Sequence, residues 1–192
     1  MRRIVVVGAS LAGHHAAGSL RRLGYDGSVT VIGSEPHRPY DRYPLSKAFL
    51  SGDIDRRGLD LSTGIADIDW RLGATVTSLD LRDRHVVTDD GDRIPFDGLV
   101  VASGARARHG QAVRALEGAF VLRTVDDAIA LRAALSVPAR RVVVVGGGLI
   151  GAEIAATAVE AGHDTTWLHP GDAPAGHAPG QPVAEPLREL PA

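Results

Sequence analysis

The sequence reads RIVVVGASLAG over residues 3–13 and RVVVVGGGLIG over residues 141–151. Each stretch is a short β-branched run, then a glycine turn, then the start of a helix-like segment. A candidate strand follows each helix, at residues 28–32 and 165–168. Two strand–helix–strand units with uninterrupted apolar strands predict parallel sheets covered on both faces. The predicted fold class is therefore α/β, with duplicated Rossmann-like βαβ units.

Helix ends and further strands follow from local signals. The first helix is predicted from about Leu11 to Leu23, with Gly24 as its stop, and the second ends at Gly162. Between the repeats, residues 74–81 and 84–88 have strand patterns.

Three more signals complete this region. Asp90-Gly91 predicts a hairpin turn, residues 99–102 predict a buried strand, and the acidic segment from Thr124 predicts a helix start. These strands make a β-hairpin insertion between the two βαβ units.

The second repeat carries Gly146-x-Gly148-x-x-Gly151 directly after a strand and at the start of a helix. In a dinucleotide site the first glycine allows the tight turn, the second lets a pyrophosphate approach the backbone, and the third lets helix and strand pack closely. The amides at the helix start then face the phosphates. The alternative interpretation is a tight structural turn that binds nothing.

The first repeat has Gly8-x-Ser10-x-x-Gly13, with serine in place of the middle glycine. The Ser10 side chain either narrows the approach of a phosphate or donates a hydrogen bond to it. The same residues resemble the nucleophile elbow of a serine hydrolase, which also lies at a strand-to-helix turn. Ala12 stands where that motif has its final glycine, which disfavours a hydrolase.

An acidic residue after the second strand of such a unit binds the adenosine ribose. Ser34 and Glu35 hold that place in the first unit, and Glu35 is the predicted partner of the ribose. The second unit has Leu168-His169-Pro170 there, with no acid. Ribose recognition is therefore predicted to be weaker in the second unit, and because no arginine stands there either, a 2′-phosphate is not favoured.

Composition excludes several classes of function. There is no cysteine, so disulfide scaffolds, thiolate metal sites and redox-active cysteine pairs are excluded. The formal net charge is −2, which gives no reason to expect nucleic acid as a partner. The histidines lack a metal-ligand spacing, and no apolar run reaches the ~18 residues of a membrane span. The chain is expected to be cytoplasmic, with no metal.

The stretch Pro39-Tyr40-Asp41-Arg42-Tyr43-Pro44-Leu45-Ser46-Lys47 resembles a segment of the ferredoxin reductase-like flavoproteins, which include putidaredoxin, rubredoxin and aromatic-dioxygenase ferredoxin reductases. That family has proline at the place of Tyr43. Residues 102–108, ASGARAR, and residues 122–124, LRT, are similar to two more of its segments. The resemblance runs in order from residue 3 to about residue 168.

The resemblance implies a role for each matching residue. Gly8, Ser10, Ala12 and Gly13 would cradle the FAD pyrophosphate, Ser34 or Glu35 would bind the adenosine ribose, and the backbone of Val76 would contact the adenine. Arg42 and Arg123 would also contact FAD, and Ser103 and Gly104 are further implied cofactor contacts. Gly146, Gly148, Ile150 and Gly151 would bind NAD(P)H. Lys47 would lie beside the reactive edge of the isoalloxazine ring with Glu153 as its ion-pair partner, and these two are the implied catalytic residues.

The implied activity is hydride transfer from NAD(P)H to FAD, followed by single-electron transfer to a ferredoxin-like acceptor. The implied domains are an FAD-binding domain at 1–138, the start of an NAD(P)-binding domain at 139–169 and a Pro/Gly-rich irregular tail at 170–192. The family is about twice as long as this chain, so we expect a truncated fold that exposes apolar surface and dimerises or recruits a complementing chain. The alternatives are a non-catalytic dinucleotide-binding module and a truncated or split remnant of such a reductase.

Overall fold

Strands and helices alternate along the chain in the structure, a computed structural model that describes residues 2–61, 65–108 and 116–169. The strands among these residues are β1 Arg3–Val7, β2 Ser28–Gly33, β3 Ile68–Leu72, β4 Val76–Asp80, β5 His85–Thr88, β6 Arg93–Pro95, β7 Gly98–Val101, β8 Arg141–Val145 and β9 Asp164–Leu168. The α-helices are α1 Leu11–Arg22, α2 Ala48–Ser51, α3 Val125–Leu135 and α4 Leu149–Glu160. Short 3₁₀ turns span Tyr43–Ser46 and Arg56–Leu59.

The chain packs as two compact units. The first unit contains residues 1–41 and 59–106, and the second contains residues 42–58 and 107–192. This grouping follows packing, whereas the predicted division at residue 138 follows the sequence repeats; that division stays a prediction.

A parallel sheet with strand order β3-β2-β1-β7 is the centre of the first unit. On one face, Val6 and Val31 pack with Ala17 of α1. On the other face, Val5 and Ile32 pack with residues of the antiparallel sheet β4-β5-β6. Other elements thus pack on both faces of this sheet, as the uninterrupted β-branched strands predict.

The second unit has a smaller parallel sheet, β8-β9, with α4 packed on it. Val144 is buried with Ala155 and Ala158 of α4. Val143 and Val145 are 59% and 77% exposed on the alternate face, so the described residues cover one face of this sheet and not the other. Among the described residues, α4 is the helix that covers this sheet.

The sequence-based elements agree with this architecture. The Rossmann-like α/β class is confirmed, and α1 begins at Leu11 as predicted. Gly91 has φ +90° in the turn between β5 and β6, which is the predicted hairpin turn. The predictions missed β3, β6 and α2; those for residues 170–192 lie outside the described residues.

Candidate functional site

The carboxyl ends of three neighbouring strands define one edge of the sheet in the first unit. Val7 of β1 lies opposite Ile32 of β2 on one side and Val101 of β7 on the other. The residues that follow these strands therefore come together. They are the first glycine turn (residues 8–13), the loop after β2 and the segment Ala102–Gly104.

The first glycine turn has no room for side chains at its two glycines. Gly8 has φ +116°, and a β-carbon there would lie 2.0 Å from the backbone oxygen of Ala102. A β-carbon at Gly13 would lie 1.8 Å from the backbone oxygen of Gly8. The bare backbone thus lets α1 start directly against β1, with its first amides at the carboxyl edge of the sheet.

Gly33 is a third required glycine, and the sequence analysis missed it. A β-carbon on Gly33, the last residue of β2, would lie 2.4 Å from the β-carbon of Ala9. The signal was in the sequence, because a glycine ends an otherwise β-branched strand two residues before the predicted ribose acid.

Ser10 begins α1 as its N-cap residue in an extended conformation, with φ −103°. A nucleophile elbow holds its serine in a strained turn, so this backbone does not have the geometry of a serine hydrolase. The Ser10 side chain makes no capping hydrogen bond to the helix amides. Its position at the helix start is the one that the phosphate role requires.

Glu35 lies just beyond β2 at the same edge. The Tyr40 hydroxyl donates a hydrogen bond of 2.5 Å to Glu35 Oε2, and Tyr40 is buried. The Glu35 backbone oxygen accepts from the amide of Gly73, which ties this loop to the end of β3. The carboxylate is therefore fixed in orientation, as an acceptor for ribose hydroxyls needs to be. Tyr40 lies in the segment from Pro39 to Lys47 that carries the family resemblance, but its contact with Glu35 was not predicted.

The other predicted residues of the first unit lie around this edge. Ser34 and Ser103 are exposed, and Gly104, the third residue after β7, has φ +67°. Ala12 is exposed on the first turn of α1. Val76 opens β4, just after Ala74, whose amide donates to the backbone oxygen of Gly33.

The second glycine turn (residues 146–151) repeats the first in part. Gly146 has φ +131°, and a β-carbon at Gly151 would lie 2.2 Å from the backbone oxygen of Gly146. A β-carbon at Gly148 would meet nothing within 4 Å, and Gly148 is the N-cap of α4. Gly151 is thus required by packing and Gly146 by its positive φ, since a β-carbon at Gly146 would also meet nothing within 4 Å. Gly148 leaves open space at the helix start. Ile150, 54% exposed, lies at the same helix start.

His169 packs against this turn. A β-carbon at Gly147 would lie 2.7 Å from the β-carbon of His169. The Trp167 ring lies edge-on to the His169 ring, and Trp167 Nε1 donates to the Gly146 backbone oxygen at 2.9 Å. His169 Nδ1 is buried without a hydrogen-bond partner among the described residues.

Lys47 and Glu153 form an ion pair within the second unit, as the resemblance implies. Lys47 Nζ lies 2.8 Å from Glu153 Oε2, and the Ser46 hydroxyl donates to the same oxygen at 2.5 Å. Both side chains are about a third exposed. Residues 106 positions apart in the sequence are thus joined, because α4 packs against the 3₁₀ turn Tyr43–Ser46.

The charge of Glu153 is held by this arrangement. Burial raises the pKa of the Glu153 carboxyl, but hydrogen bonds from Lys47 and Ser46, together with the charge of Lys47, lower it by more. The pKa of Glu153 therefore lies below its ordinary range. The carboxylate stays ionised and keeps the ammonium group in place.

Lys47 is also the only lysine of the chain, beside 20 arginines. Its ammonium nitrogen lies 3.8 Å from the centre of the Tyr43 ring, the residue at which the family resemblance departs from proline. A compact ammonium differs from a guanidinium fork in hydration and shape, so lysine is not replaced by arginine at a site that needs a point charge. The single lysine was a signal that the sequence analysis did not use.

The side chain of Arg42 contacts the backbone of Arg123. Arg42 Nη1 donates to the backbone oxygen of Arg123 at 2.8 Å. The Arg123 amide donates to the Asp127 carboxylate, which also forms a capping box with Thr124 at the start of α3. Their predicted contact with FAD stays a prediction.

Each unit fits the phosphate group of a dinucleotide. The fit rests on a glycine cradle at a helix N-terminus in both units, and on a fixed carboxylate in the first. Within the described part of the chain, no cluster of three or more metal-ligating side chains occurs. The same residues contain no helix with the length and apolar character of a membrane span.

Comparisons with known proteins agree with this geometry. A family model described as pyridine nucleotide-disulphide oxidoreductase matches residues 2–190. The chain is 41% identical over 174 residues to the biphenyl dioxygenase system ferredoxin--NAD(+) reductase component of Paraburkholderia xenovorans, with 88% of this chain and 42% of that protein covered. It is 38% identical over 180 residues to rhodocoxin reductase of Rhodococcus erythropolis, with 91% and 42% covered.

A solved structure gives the same result for the fold. The reductase of a covalent putidaredoxin reductase-putidaredoxin complex matches with a TM-score of 0.88 and 33% identity, over 98% of this chain and 47% of that chain. The chain thus spans less than half the length of the relatives it matches.

We expect Glu153→Gln to lower the free energy of unfolding by about 1 kcal/mol at neutral pH. Because the folded-state pKa of Glu153 is lowered, the stability from its ion pair is present above the ordinary glutamate pKa and is lost as the pH falls through the lowered value. Urea denaturation of wild type and variant at neutral pH and at a pH below the lowered pKa measures this. The matched control is Glu160→Gln, at the exposed end of the same helix. If Glu153→Gln lowered the free energy of unfolding equally at both pH values, the stabilising role of the ionised Glu153 carboxylate would be contradicted.

Proposed function

Because the chain belongs to the pyridine nucleotide-disulphide oxidoreductase family, we propose that it binds FAD and NAD(P)H as part of a ferredoxin-type reductase. In the proposed activity, hydride passes from NAD(P)H to FAD and single electrons pass to a ferredoxin-like protein. The observation that carries this proposal is the 2.8 Å ion pair between Glu153 and the only lysine of the chain.

The first unit supports the binding of FAD. The amides at the start of α1 and the glycine backbone of residues 8–13 would hold the pyrophosphate, since the helix N-terminus favours negative charge. The fixed carboxylate of Glu35 would accept hydrogen bonds from the ribose hydroxyls. Val76, Ser103 and Gly104 lie at or beside the same edge and would contact the remainder of the cofactor.

Lys47 would supply positive charge where negative charge develops. Bound FAD accepts two electrons together and releases them singly, which is the chemistry that the protein itself lacks. Lys47 is held in orientation because Glu153 and the Tyr43 ring contact its ammonium group, and the Ser46 hydroxyl in turn donates to Glu153. A prearranged charge stabilises a developing negative charge without reorganisation during the reaction. Lys47 and Glu153 are thus proposed as a catalytic lysine and its positioning carboxylate.

The second glycine turn supports the binding of the nicotinamide nucleotide. Gly148 leaves open space at the start of α4, where a pyrophosphate would approach the backbone. Glu153 lies on the same helix, just beyond this turn. The helix that would bind the hydride donor therefore also carries the carboxylate that orients Lys47.

The acceptor is proposed from the relatives. Their names state ferredoxin and rhodocoxin reductases, and one solved relative is in complex with putidaredoxin. We extend the same class of small electron carrier to this protein. Dimerisation, or recruitment of a complementing chain that covers exposed apolar surface, stays a prediction.

Two glycine substitutions separate packing from binding at the second turn. We expect Gly151→Ala to lower the free energy of unfolding by about 2 kcal/mol, because its β-carbon would overlap the backbone oxygen of Gly146. Gly148→Ala should change it by less than about 0.5 kcal/mol, because its β-carbon enters open space. The same substitution should weaken binding of a nicotinamide dinucleotide about tenfold, because the methyl group takes the space of the pyrophosphate. Urea denaturation and calorimetric titration measure the two effects, and full binding by Gly148→Ala would count against a nucleotide at this turn.

An absorbance spectrum of the purified chain with FAD tests the proposed function. We expect a bound flavin spectrum that bleaches when NADH or NADPH is added without oxygen. Lys47→Gln should retain the flavin but slow its bleaching about tenfold or more, because one prearranged charge is removed. The control is Arg57→Gln, an exposed charge on the second 3₁₀ turn.

Three outcomes are separated by this experiment. A chain that does not bind FAD overturns the reductase function. Bound flavin that neither nucleotide reduces leaves the non-catalytic binding module. If the flavin bound to Lys47→Gln bleaches at the wild-type rate, the catalytic role of Lys47 is refuted, whereas the rest of the proposed function stands.

A further inference from the structure

Tyr43 lies across a 3₁₀ turn from Lys47, four residues before it in the sequence. Its ring centre lies 3.8 Å from the Lys47 ammonium nitrogen, and its backbone oxygen lies 3.4 Å from the same nitrogen. At such a distance the face of an aromatic ring attracts a cation. The ferredoxin reductase-like flavoproteins have proline at this position, and a proline ring has no such face. The contact is therefore a feature in which this chain departs from that family.

The partners of the Lys47 ammonium group differ in how firmly they are held. Glu153 Oε2 lies 2.8 Å from Lys47 Nζ and also accepts a hydrogen bond from the hydroxyl of Ser46, a buried residue. Tyr43 is 71% exposed, so its ring is mostly surrounded by solvent. A cation–π contact at an exposed site changes an equilibrium only about two- to fivefold, whereas a charge-assisted hydrogen bond to a carboxylate is stronger. The ring is thus the partner that Lys47 exchanges most easily.

Lys47 needs an exchangeable partner if it is to act on a flavin. An ammonium group has three N–H donors. Glu153 Oε2, the Tyr43 ring and the Tyr43 backbone oxygen already contact the Lys47 nitrogen. A donor that stabilises a developing negative charge has to point at the group on which that charge develops. One of the present contacts therefore gives way when the flavin ring binds beside Lys47, and the exposed Tyr43 ring does so at the least cost.

We propose that Tyr43 is a positioning residue that acts through Lys47, and that its ring competes with the flavin ring for the Lys47 ammonium group. The Tyr43 ring leaves its place over Lys47 when FAD binds, whereas Glu153 keeps its ion pair. The competition makes FAD binding weaker than it is in a chain without this ring. The inference rests on the proposed function, because it describes how the proposed catalytic lysine meets its cofactor.

NMR of the full chain with isotopically labelled lysine tests the inference. It gives one set of side-chain signals, because Lys47 is the only lysine. The face of an aromatic ring shields nuclei above it, so without FAD the ε-protons of Lys47 should resonate upfield in the wild type relative to Tyr43→Leu. With saturating FAD the two proteins should give the same signal, because the Tyr43 ring no longer lies over the lysine. Tyr43→Phe, which keeps the ring, is the matched control and should agree with the wild type throughout.

Calorimetric titration of FAD into the same variants measures the competition. Tyr43→Leu and Tyr43→Pro should bind FAD about two- to fivefold more tightly than the wild type, the factor that an exposed cation–π contact produces. Tyr43→Phe should bind FAD as the wild type does. A merely structural role of Tyr43 predicts the opposite direction, since the loss of a supporting side chain weakens binding. Urea denaturation confirms that each variant folds.

Three results would overturn the inference. They are an equal Lys47 signal in the wild type and Tyr43→Leu without FAD, a difference between these signals that persists with FAD, and a Tyr43→Leu chain that binds FAD no more tightly than the wild type. If neither the wild type nor any variant binds FAD, the proposed function fails together with the inference. A chain that binds FAD and bleaches with NADH or NADPH, but keeps the Tyr43 ring over Lys47, retains the function and loses the inference.

Discussion

In each unit a backbone oxygen approaches a helix glycine so closely that no side chain fits there, and the rest of the molecule depends on this constraint. The Gly8 oxygen lies 1.8 Å from the β-carbon position of Gly13, and the Gly146 oxygen lies 2.2 Å from that of Gly151. Each helix therefore starts directly against its strand and leaves its first amides at the carboxyl edge of the sheet. The proposed phosphate sites of both units and the position of Glu153 on α4 follow from this contact.

The pattern of the repeats made most of the fold predictable. β-Branched runs that end in spaced glycines identify both βαβ units, and the capping box at Thr124 and Asp127 marks the start of α3. The short strands β3 and β6 were missed because their pairing is decided by neighbouring strands rather than by their own residues. The exposure of Val143 and Val145 on one face of β8-β9 could not be predicted either, since an apolar strand pattern does not show which element packs on each face.

The candidate site was predictable only in part. Glycine spacing and Glu35 follow from general rules for dinucleotide sites, whereas the Lys47–Glu153 pair came from the family resemblance. No local pattern joins residues 106 positions apart, and their contact exists because α4 packs on the turn before Lys47. The partners Ser46 and Tyr40 were missed because their roles are set by which carboxylate lies within reach, which is a property of the folded chain.

Both glycine turns are proposed to bind the phosphates of a dinucleotide. ADP, the part shared by FAD and the nicotinamide nucleotides, is titrated into the isotopically labelled chain, and backbone amide shifts are followed by NMR. We expect the largest shifts at residues 10–13 and 148–151, where α1 and α4 begin. Shifts confined to other residues, or no saturable shift at either helix start, would contradict it.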